Sequence, residues 1–404
     1  MENNPFRPGV GKEPLYLADR KVLLSKFKRY LNAYPDNPTN LRVNGLRGVG
    51  KSVLLRHYKE IAENQGWVCL DREVSHKLTG EKDFLLAFES DLNKIVHSLS
   101  KTAKAKDYVK GIVGTLGSLV SMSTEIEGIT INLHKGTFSG KDILLEDVVK
   151  DALVAVGKLA QKVDKGVIFF YDEAQNLKDN KGNKQYPLNS LLGAFIEAQN
   201  QKLPVMLVMA GLPSLRSNLQ TSRSHTERLF KVDNVNNISL DRINNMASEA
   251  SKAFIEPCKK TSIKIDEKLA EKIAGDLDGY PYFIQAFGEE LWDIAEANDY
   301  GEISETLYLT TKNSIQSELD ISFYEGRYED DASTAEQKIL LAAASLGGES
   351  FEVGRLKESM KKNNSALSAQ LANMCDNNII YREKHGIYAY TVPKFGEFLR
   401  RKLD

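Results

Sequence analysis

Cysteine is scarce in this sequence, and the three cysteines present lie far apart, at Cys69, Cys258 and Cys375. They form no C-x-x-C pair, so neither a disulfide framework nor a cysteine-based zinc site is expected. This cysteine usage is typical of proteins from a reducing compartment.

Long apolar runs are also missing. The longest weakly polar stretch, residues 111–122, is short and is interrupted by glycines and serines, whereas a membrane-spanning helix needs ~20 apolar residues. The N-terminus has neither the basic nor the apolar region of a secretory signal. We therefore expect a cytoplasmic protein with no membrane partner.

Neither sign of charge is in excess, because 54 Lys and Arg residues face 55 Asp and Glu residues, a formal net charge of −1. This balance argues against a chain that is basic along its whole length, such as a histone-like coat of nucleic acid, but leaves a local basic face open. At ~150 residues per domain, the 404 residues predict two or three domains. A hydrophobic content of 42% is enough for a sizeable core.

What the sequence does contain is an alternation of strand and helix patterns in its first 240 residues. The apolar run 167–170 is continuous, as expected for a parallel strand covered on both faces. The pattern predicts an α/β fold around a parallel sheet. The expected strands are 41–44, 67–70, 166–171 and 204–210, and the expected helices are 51–64, 84–99, 144–163 and 188–201.

Three other segments differ from this pattern. Residues 100–142 form an insertion with an alternating run that predicts a β-hairpin or an edge strand. Residues 241–325 show helical spacing only, and the acidic stretch 325–331 is interpreted as a linker. The last ~73 residues predict two or three short helices followed by a β-hairpin.

The most specific motif is a glycine loop that fits G-x-x-x-x-G-K-S/T and lies between a predicted strand and a predicted helix. Its glycines let backbone N–H groups surround phosphates at the positive end of the helix. Lys51 is expected to reach the β- and γ-phosphates of ATP, and the Ser52 hydroxyl to ligate Mg²⁺. The predicted nucleotide-binding residues here are Gly45, Arg47, Gly48, Val49, Gly50, Lys51, Ser52 and Val53.

An acidic pair follows the apolar strand 167–171. Asp172 is the expected second ligand of Mg²⁺, through its water shell, and Glu173 is placed to orient or deprotonate the attacking water. Taken alone, such a pair could equally cap the next helix. With the glycine loop upstream, it predicts the second half of an ATPase site.

Further along the chain, Arg228 follows the strand 204–210. It is a candidate arginine finger, acting on the ATP of a neighbouring subunit in a homo-oligomer. The alternative is an ordinary surface or ion-pair arginine.

These residues resemble the AAA+ class of P-loop ATPases, in the branch with the origin-recognition-like and the signal-transducing STAND ATPases. Supporting segments are 17–20, 172–175, 210–213, 227–230 and 279–281. The resemblance implies that Asp19, Arg20 and Pro281 contact the nucleotide.

The chain departs from the family pattern in two places. The strand that should end in a polar sensor residue ends in Ala210-Gly211, and Tyr282 stands where a sensing arginine is common. Both departures imply slow ATP hydrolysis, as in a switch.

By the same resemblance, residues 332–404 are a winged helix that binds double-stranded DNA or, as in the STAND branch, a protein. This segment carries 11 Lys+Arg and 8 Asp+Glu residues, so its net charge is 11 − 8 = +3. The expected DNA contacts are Ser365, Ser368, Gln370 and Lys384.

The resulting hypothesis is a three-domain AAA+ switch that couples its nucleotide state to DNA binding or self-assembly. Its parts are a P-loop ATPase core (1–240), a helical lid (241–330) and a winged helix (331–404). The alternatives are a STAND-like signalling ATPase with no nucleic-acid role and an ATPase associated with transposition or phage defence.

Overall fold

The chain folds into two compact units, seen in a computed structural model. The "sheet unit" comprises Val22–Asn44 and Leu54–Asn234, and the "loop unit" comprises Met1–Lys21, Gly45–Val53 and Val235–Asp404. No helix in the described part of the chain is both long and apolar enough to cross a lipid bilayer. The structure describes residues 2–100, 120–125, 128–133, 137–138, 141–142, 144–223, 226–244, 246–360 and 364–403.

The described β-strands are mostly short. In chain order they are β1 (Asn40–Asn44), β2 (Val68–Glu73), β3 (Val120–Glu125), β4 (Gly128–Leu133), β5 (Thr137–Phe138), β6 (Lys141–Asp142), β7 (Val167–Asp172), β8 (Val205–Gly211), β9 (Phe230–Asn234), β10 (Lys264–Ile265), β11 (Glu302–Ile303), β12 (Ser350–Glu352), β13 (Ile380–Lys384) and β14 (Ile387–Tyr390).

The described α-helices range from one turn to more than five. They are α1 (Lys21–Asn32), α2 (Lys51–Asn64), α3 (Glu81–Ser100), α4 (Leu145–Lys162), α5 (Pro187–Asn200), α6 (Ser214–Ser222), α7 (Thr226–Leu229), α8 (Glu249–Cys258), α9 (Glu267–Asp276), α10 (Pro281–Ala297), α11 (Glu305–Leu319), α12 (Gly326–Glu329), α13 (Thr334–Ser345), α14 (Val353–Met360), α15 (Asn364–Asp376) and α16 (Phe395–Arg401).

The sheet unit is built on five parallel strands in the order β2-β7-β8-β1-β9. This confirms the α/β fold with a parallel sheet that the alternating pattern predicts. All seven residues of β8 and the first five of β7 are buried, as expected for strands covered on both faces. β8 separates β7 from β1, and β9 is an edge strand that the sequence patterns did not reveal.

Helices α3, α4 and α5 pack their apolar residues against this sheet. The ring of Phe169 on β7 lies 6.2 Å from that of Phe88 on α3 and 5.3 Å from that of Phe195 on α5. Aromatic contacts of this kind add to the burial of apolar area. The strand that carries the acidic pair, β7, is therefore packed against two helices in the core.

A buried carboxylate fastens the end of β7. Asp91 on α3 is fully buried, and its Oδ2 accepts hydrogen bonds from Arg72 Nε of β2 at 2.6 Å and from the Tyr171 hydroxyl of β7 at 3.0 Å. The bond to Asp91 raises the pKa of Arg72. Since Tyr171 immediately precedes Asp172, this network fixes the backbone that presents the acidic pair.

Part of the predicted insertion is also described. β3 and β4 pair in antiparallel register from Val120–Leu133 to Glu125–Gly128, which agrees with the predicted hairpin. β5 and β6 form a second short antiparallel pair. Residues 101–119 lie outside the described residues.

In the loop unit, a column of aromatic rings connects the helices after residue 280. Phe283 on α10 lies 5.7 Å from Phe323, which belongs to a π-helical stretch at Asp320–Glu325. Tyr324 of that stretch stacks on Phe398 of α16 at 5.1 Å. The column is one continuous apolar contact from α10 to the C-terminal helix.

Two features of this unit go beyond the interpretation from the sequence. The acidic stretch 325–331, interpreted as a linker, is helical as far as Glu329, because the π-helix and α12 continue the helical path of α11. Its carboxylates Glu325 and Glu329 both accept from Lys402, which offsets their mutual repulsion. The region 241–325 is also not purely helical, since β10 and β11 pair there in parallel.

The C-terminal residues form a separate cluster of elements. In chain order they are α13, β12, α14, α15, β13, β14 and α16, and the three strands form an antiparallel sheet in the order β12-β14-β13. Ser333 and Glu336 form a capping box at the start of α13, which accounts for its sharp beginning. We call residues 334–403 the C-terminal module.

Replacing Asp91 with alanine should destabilise the sheet unit. The change leaves the half-buried charge of Arg72 and the buried hydroxyl of Tyr171 without their acceptor. We expect a loss of about 3 kcal/mol in the free energy of unfolding, measured by urea denaturation. Lys94→Ala, at an exposed site on the same helix, should change it by less than about 0.5 kcal/mol, and an equal effect of both variants would contradict this role.

Candidate functional site

The glycine loop of the loop unit has a backbone that few other sequences could adopt. Gly48 and Gly50 have φ angles of +73° and +94°, in the region that side chains rarely enter. A Cβ placed on Gly50 would meet no atom within 4 Å, so the loop encloses open space on that side. The loop leads directly into α2, whose first residue is Lys51. Positive φ, open space and a helix N-terminus are together a fit for phosphate groups.

The predicted phosphate ligands lie in the first turn of α2. The side chain of Lys51 is buried, and its Nζ donates to the carbonyl oxygen of Leu46 at 2.9 Å. Ser52 and Val53 follow in the same turn and are half-buried. The ammonium group is thus folded back over the loop, where it adds positive charge to the helix N-terminus.

The peptide group of Arg47 is held from both sides within the loop unit. The hydroxyl of buried Tyr280 donates to the Arg47 carbonyl oxygen at 2.6 Å. The Arg47 N–H donates to the carbonyl oxygen of Thr391, just after β14, at 3.2 Å. Burial raises the pKa of Tyr280, so its phenol remains a donor. The tip of the loop is therefore bonded to the residue that precedes α10 and to the C-terminal module.

The residues predicted from the family resemblance lie around this loop. Arg20 is buried and donates hydrogen bonds to the carbonyl oxygens of Val49 and Asn236 at 3.1 and 2.9 Å. It thereby links the glycine loop to the segment after β9. Asp19 is exposed, and its Oδ2 accepts the N–H of Ser239 at 3.2 Å. Pro281 is the first residue of α10, where its missing N–H costs nothing.

The acidic pair lies in the sheet unit. Asp172 is the last residue of β7, and its Oδ1 accepts the N–H of Glu173 at 2.8 Å. Glu173 has a left-handed backbone, with φ 50° and ψ 34°, which is uncommon for a residue other than glycine. β1 ends at Asn44, on the same edge of the parallel sheet as Asp172.

Arg228 lies on the one-turn helix α7 and is exposed. Among the described residues its side chain makes no ion pair and no hydrogen bond. The arginine is therefore not committed to a structural pair in this part of the chain, and its role in a neighbouring subunit remains a prediction.

The residues expected to contact DNA lie in the C-terminal module. Ser368 on α15 and Lys384 at the end of β13 are exposed. Gln370 is half-buried, and its Oε1 has no hydrogen-bond partner in the described structure. Ser365 belongs to α15, but its side chain lies outside the described residues.

The basic C-terminal end is used inside the protein. Arg401 forms a bidentate pair with Asp320, with nitrogen–oxygen distances of 2.9 and 2.5 Å. Lys402 donates to Glu325 and Glu329. Much of the basic excess of residues 332–404 is thus offset by the π-helix and α12.

Sequence reasoning missed two residues beside the loop. Tyr280 precedes the expected Pro281, but its hydrogen bond to Arg47 joins two segments that are far apart in the sequence, so only the folded structure reveals it. Arg327 lies on α12, where it donates to the carbonyl oxygen of Phe323 and covers that ring at 4.9 Å. No motif surrounds Arg327, so nothing in the sequence alone distinguishes it.

A cavity of about 340 Å³ also lies in the loop unit, lined by Leu46, Tyr280 and residues of the C-terminal module. Its walls carry the carboxyl groups of Glu349, Glu383 and Glu397. Burial raises the pKa of Glu349. A lining of carboxyl groups disfavours the binding of phosphates in this cavity.

Comparison of the sequence with known proteins gives two matches. A family model described as a domain of unknown function (DUF8462) matches residues 321–399. An uncharacterized HTH-type transcriptional regulator of Methanocaldococcus jannaschii is 23% identical over 398 residues, which are 96% of this chain and 90% of that protein.

Solved structures show the same architecture. The ORC2 protein of Aeropyrum pernix, in its ADPNP–ADP complexes, aligns with 98% of each chain at 13% identity and a TM-score of 0.52. Its ADP form aligns with 99% of each chain at 12% identity and a TM-score of 0.50. The likeness is one of fold, and the sheet unit of this chain is an α/β domain with a parallel five-stranded sheet.

Replacing Gly48 with alanine tests the contact between the loop and Tyr280. An added Cβ would lie 2.1 Å from the Tyr280 hydroxyl oxygen, at a φ of +73° that alone costs about 1–2 kcal/mol. We expect Gly48→Ala to lower the free energy of unfolding by about 2 kcal/mol or more in urea denaturation. Gly275→Ala, at a helical site with open space, is the control and should have no such effect.

Replacing Tyr280 with phenylalanine should partly compensate for the Gly48→Ala change. Tyr280→Phe alone should cost about 1 kcal/mol, because it removes one hydrogen bond. In the double variant it also removes the hydroxyl oxygen, the nearest clashing atom, and leaves the ring carbon Cζ at 2.8 Å, so the clash is reduced and the combined loss should be smaller than the sum of the two. Additive losses would show that Gly48 and Tyr280 are not in contact.

Proposed function

We propose that this chain is an ATP-binding, slowly hydrolysing switch of the AAA+ type, whose nucleotide state sets the position of a C-terminal winged helix. The observation that supports it most is the Arg47 peptide group, bonded to Tyr280 on one side and to Thr391 on the other. Phosphates that reshape the loop would strain or release both bonds. In this proposal residues 1–240 are the ATPase core, 241–330 the lid and 331–404 the winged helix.

The charges around the loop support a polyphosphate ligand. Arg47 has a buried Nε without a hydrogen-bond partner in the described structure. Burial lowers the pKa of Arg327, and the neighbouring Arg47 lowers it further. No carboxylate of the described residues lies within ion-pair distance of either guanidinium. The neighbouring half-buried guanidinium groups of Arg47 and Arg327 repel each other, which costs free energy unless an anion binds between them. The phosphates of ATP would supply that anion.

The assignment of Mg²⁺ rests on the motifs. The Ser52 hydroxyl would ligate the ion, and Asp172 would hold it through its water shell, which suits an ion that retains several waters. Bound Mg²⁺ supplies charge that stabilises the transferring phosphoryl group. Glu173 would orient and deprotonate the attacking water.

Slow turnover is favoured by the absence of two ordinary helpers. β8 ends in Ala210-Gly211, with no polar side chain at the position of a γ-phosphate sensor. Tyr282 stacks on Phe323 at 4.6 Å instead of providing a cation from the start of α10. Arg327 would supply that charge from α12, and exposed Arg228 would act on a neighbouring subunit in an assembly.

DNA is the proposed partner of the winged helix. The relative described as an HTH-type transcriptional regulator supports this choice. Helix α15, with Ser365, Ser368 and Gln370, would enter the major groove, and Lys384 at the end of β13 would contact the backbone.

A second use, a protein contact without DNA, is favoured by the internal pairing of Arg401 and Lys402. Binding to duplex DNA that weakens as salt rises would support the first use, and no binding at low salt the second.

The nucleotide site is tested by two variants and one control. Lys51→Ala should abolish ATP binding and phosphate release, because it removes the cation that faces the phosphates. Glu173→Gln should bind ATP but release phosphate at least about 100-fold more slowly. Lys82→Ala, at an exposed site, should behave as the wild type. Undiminished turnover in Lys51→Ala would overturn the assignment.

Arg327 offers a sharper test, because no sequence motif suggests it. If its guanidinium contacts a phosphate, Arg327→Ala should raise the Kd for ATP by about 10- to 100-fold, the worth of a charged hydrogen bond. Arg355→Ala removes an exposed arginine of the same unit and is the matched control. Equal ATP affinity in the two variants, measured by calorimetry, would count against Arg327.

A further inference from the structure

The carboxylate of Glu173 is held by the side chain two residues further along. Gln175 Nε2 donates to Glu173 Oε2 at 2.5 Å, and Gln175 Oε1 accepts the backbone N–H of Leu212 at 3.0 Å. Because an N–H group can only donate, it fixes which end of the amide faces it. The NH₂ end of Gln175 must therefore face the carboxylate.

Gln175 itself has little freedom to move. Only 4% of the residue is exposed, and it lies in the 3₁₀ turn Ala174–Asn176 directly after Glu173. Its carbonyl oxygen accepts from Asn218 Nδ2 of α6 at 2.7 Å. The side chain thus spans from the acidic pair to the end of β8 as a buried bridge with a hydrogen bond at each end.

The glycine at the end of β8 leaves room for this bridge. A Cβ on Gly211 would lie 2.5 Å from Gln175 Oε1 and 3.2 Å from its backbone N. Any side chain at position 211, including a polar sensor, would therefore displace Gln175. The buried position of Gln175, after the neighbouring strand β7, therefore depends on the lack of a polar side chain at the end of β8.

The backbone of Glu173 is strained, and the hydrogen bonds of the bridge help to hold it in that conformation. Its left-handed conformation costs on the order of 1 kcal/mol or more in a residue with a side chain, and such strain persists only where the surroundings impose it. The bonds of Glu173 Oε2 to Gln175 and of its N–H to Asp172 Oδ1 are those surroundings.

We propose that Gln175 is a positioning residue that holds Glu173 ready to act as the base, an inference that rests on the ATPase function proposed above. The bridge occupies Oε2 and leaves Oε1 for water. The proton of that water passes to Oε1, while its oxygen bonds to the terminal phosphorus and the bond to the leaving nucleoside diphosphate breaks. Gln175 does not touch the reacting atoms, but acts through the position of Glu173.

The test is steady-state ATP hydrolysis by the full-length chain. Gln175→Ala should lower kcat by about 10- to 100-fold with little change in KM, because a misplaced base slows chemistry without weakening phosphate binding. Gly211→Ser should lower kcat as well, by displacing Gln175. The double variant should recover part of the activity lost in Gln175→Ala, because the serine hydroxyl then occupies the emptied space and can bond Glu173.

Gln201→Ala, at an exposed position of the same unit, is the control and should retain wild-type kcat and KM. An unchanged or increased kcat in Gln175→Ala would overturn the inference, since an increase would make Gln175 a brake. Losses that simply multiply in the double variant would also overturn it. If the wild type and Lys51→Ala release phosphate at the same rate, the ATPase proposal itself fails, which is a separate result.

Discussion

The switch proposed for this chain depends on one peptide group, that of Arg47. Its carbonyl oxygen accepts a hydrogen bond from the Tyr280 hydroxyl, and its N–H donates a hydrogen bond to the carbonyl oxygen of Thr391. These two bonds connect the glycine loop to the residue that precedes α10 and to the C-terminal module. Each bond is worth only about 1 kcal/mol, so a ligand that moves the loop slightly can shift the balance between two arrangements.

The sheet unit has the complementary role of fixing the acidic pair. Asp91 anchors Tyr171 one residue before Asp172, and Gln175 anchors Glu173 two residues after. The anchored carboxylate and the bonded loop tip are the two features on which the proposed slow switch depends. Fast turnover would need further charge at the end of β8, where Gly211 provides none.

The sequence was a good guide wherever one chemical pattern dictated the structure. The apolar run of β7 predicted a buried parallel strand, and the helix 51–64 was predicted with the bounds of α2. β9 and β12 could not be found, because they are short and partly polar and exist through their pairing with β1 and β14. The roles of Arg327, Gln175 and Tyr280 depend on contacts between distant segments, which no local pattern records.

The most direct test of the account is hydrogen–deuterium exchange with and without ATP, followed in peptides covering residues 45–53 and 387–394. If ATP acts on the Arg47 peptide group as proposed, it changes protection in both peptides of the wild type and in neither peptide of Lys51→Ala. A change confined to residues 45–53 would mean that ATP binds without reaching the C-terminal module, which would contradict the proposed switch.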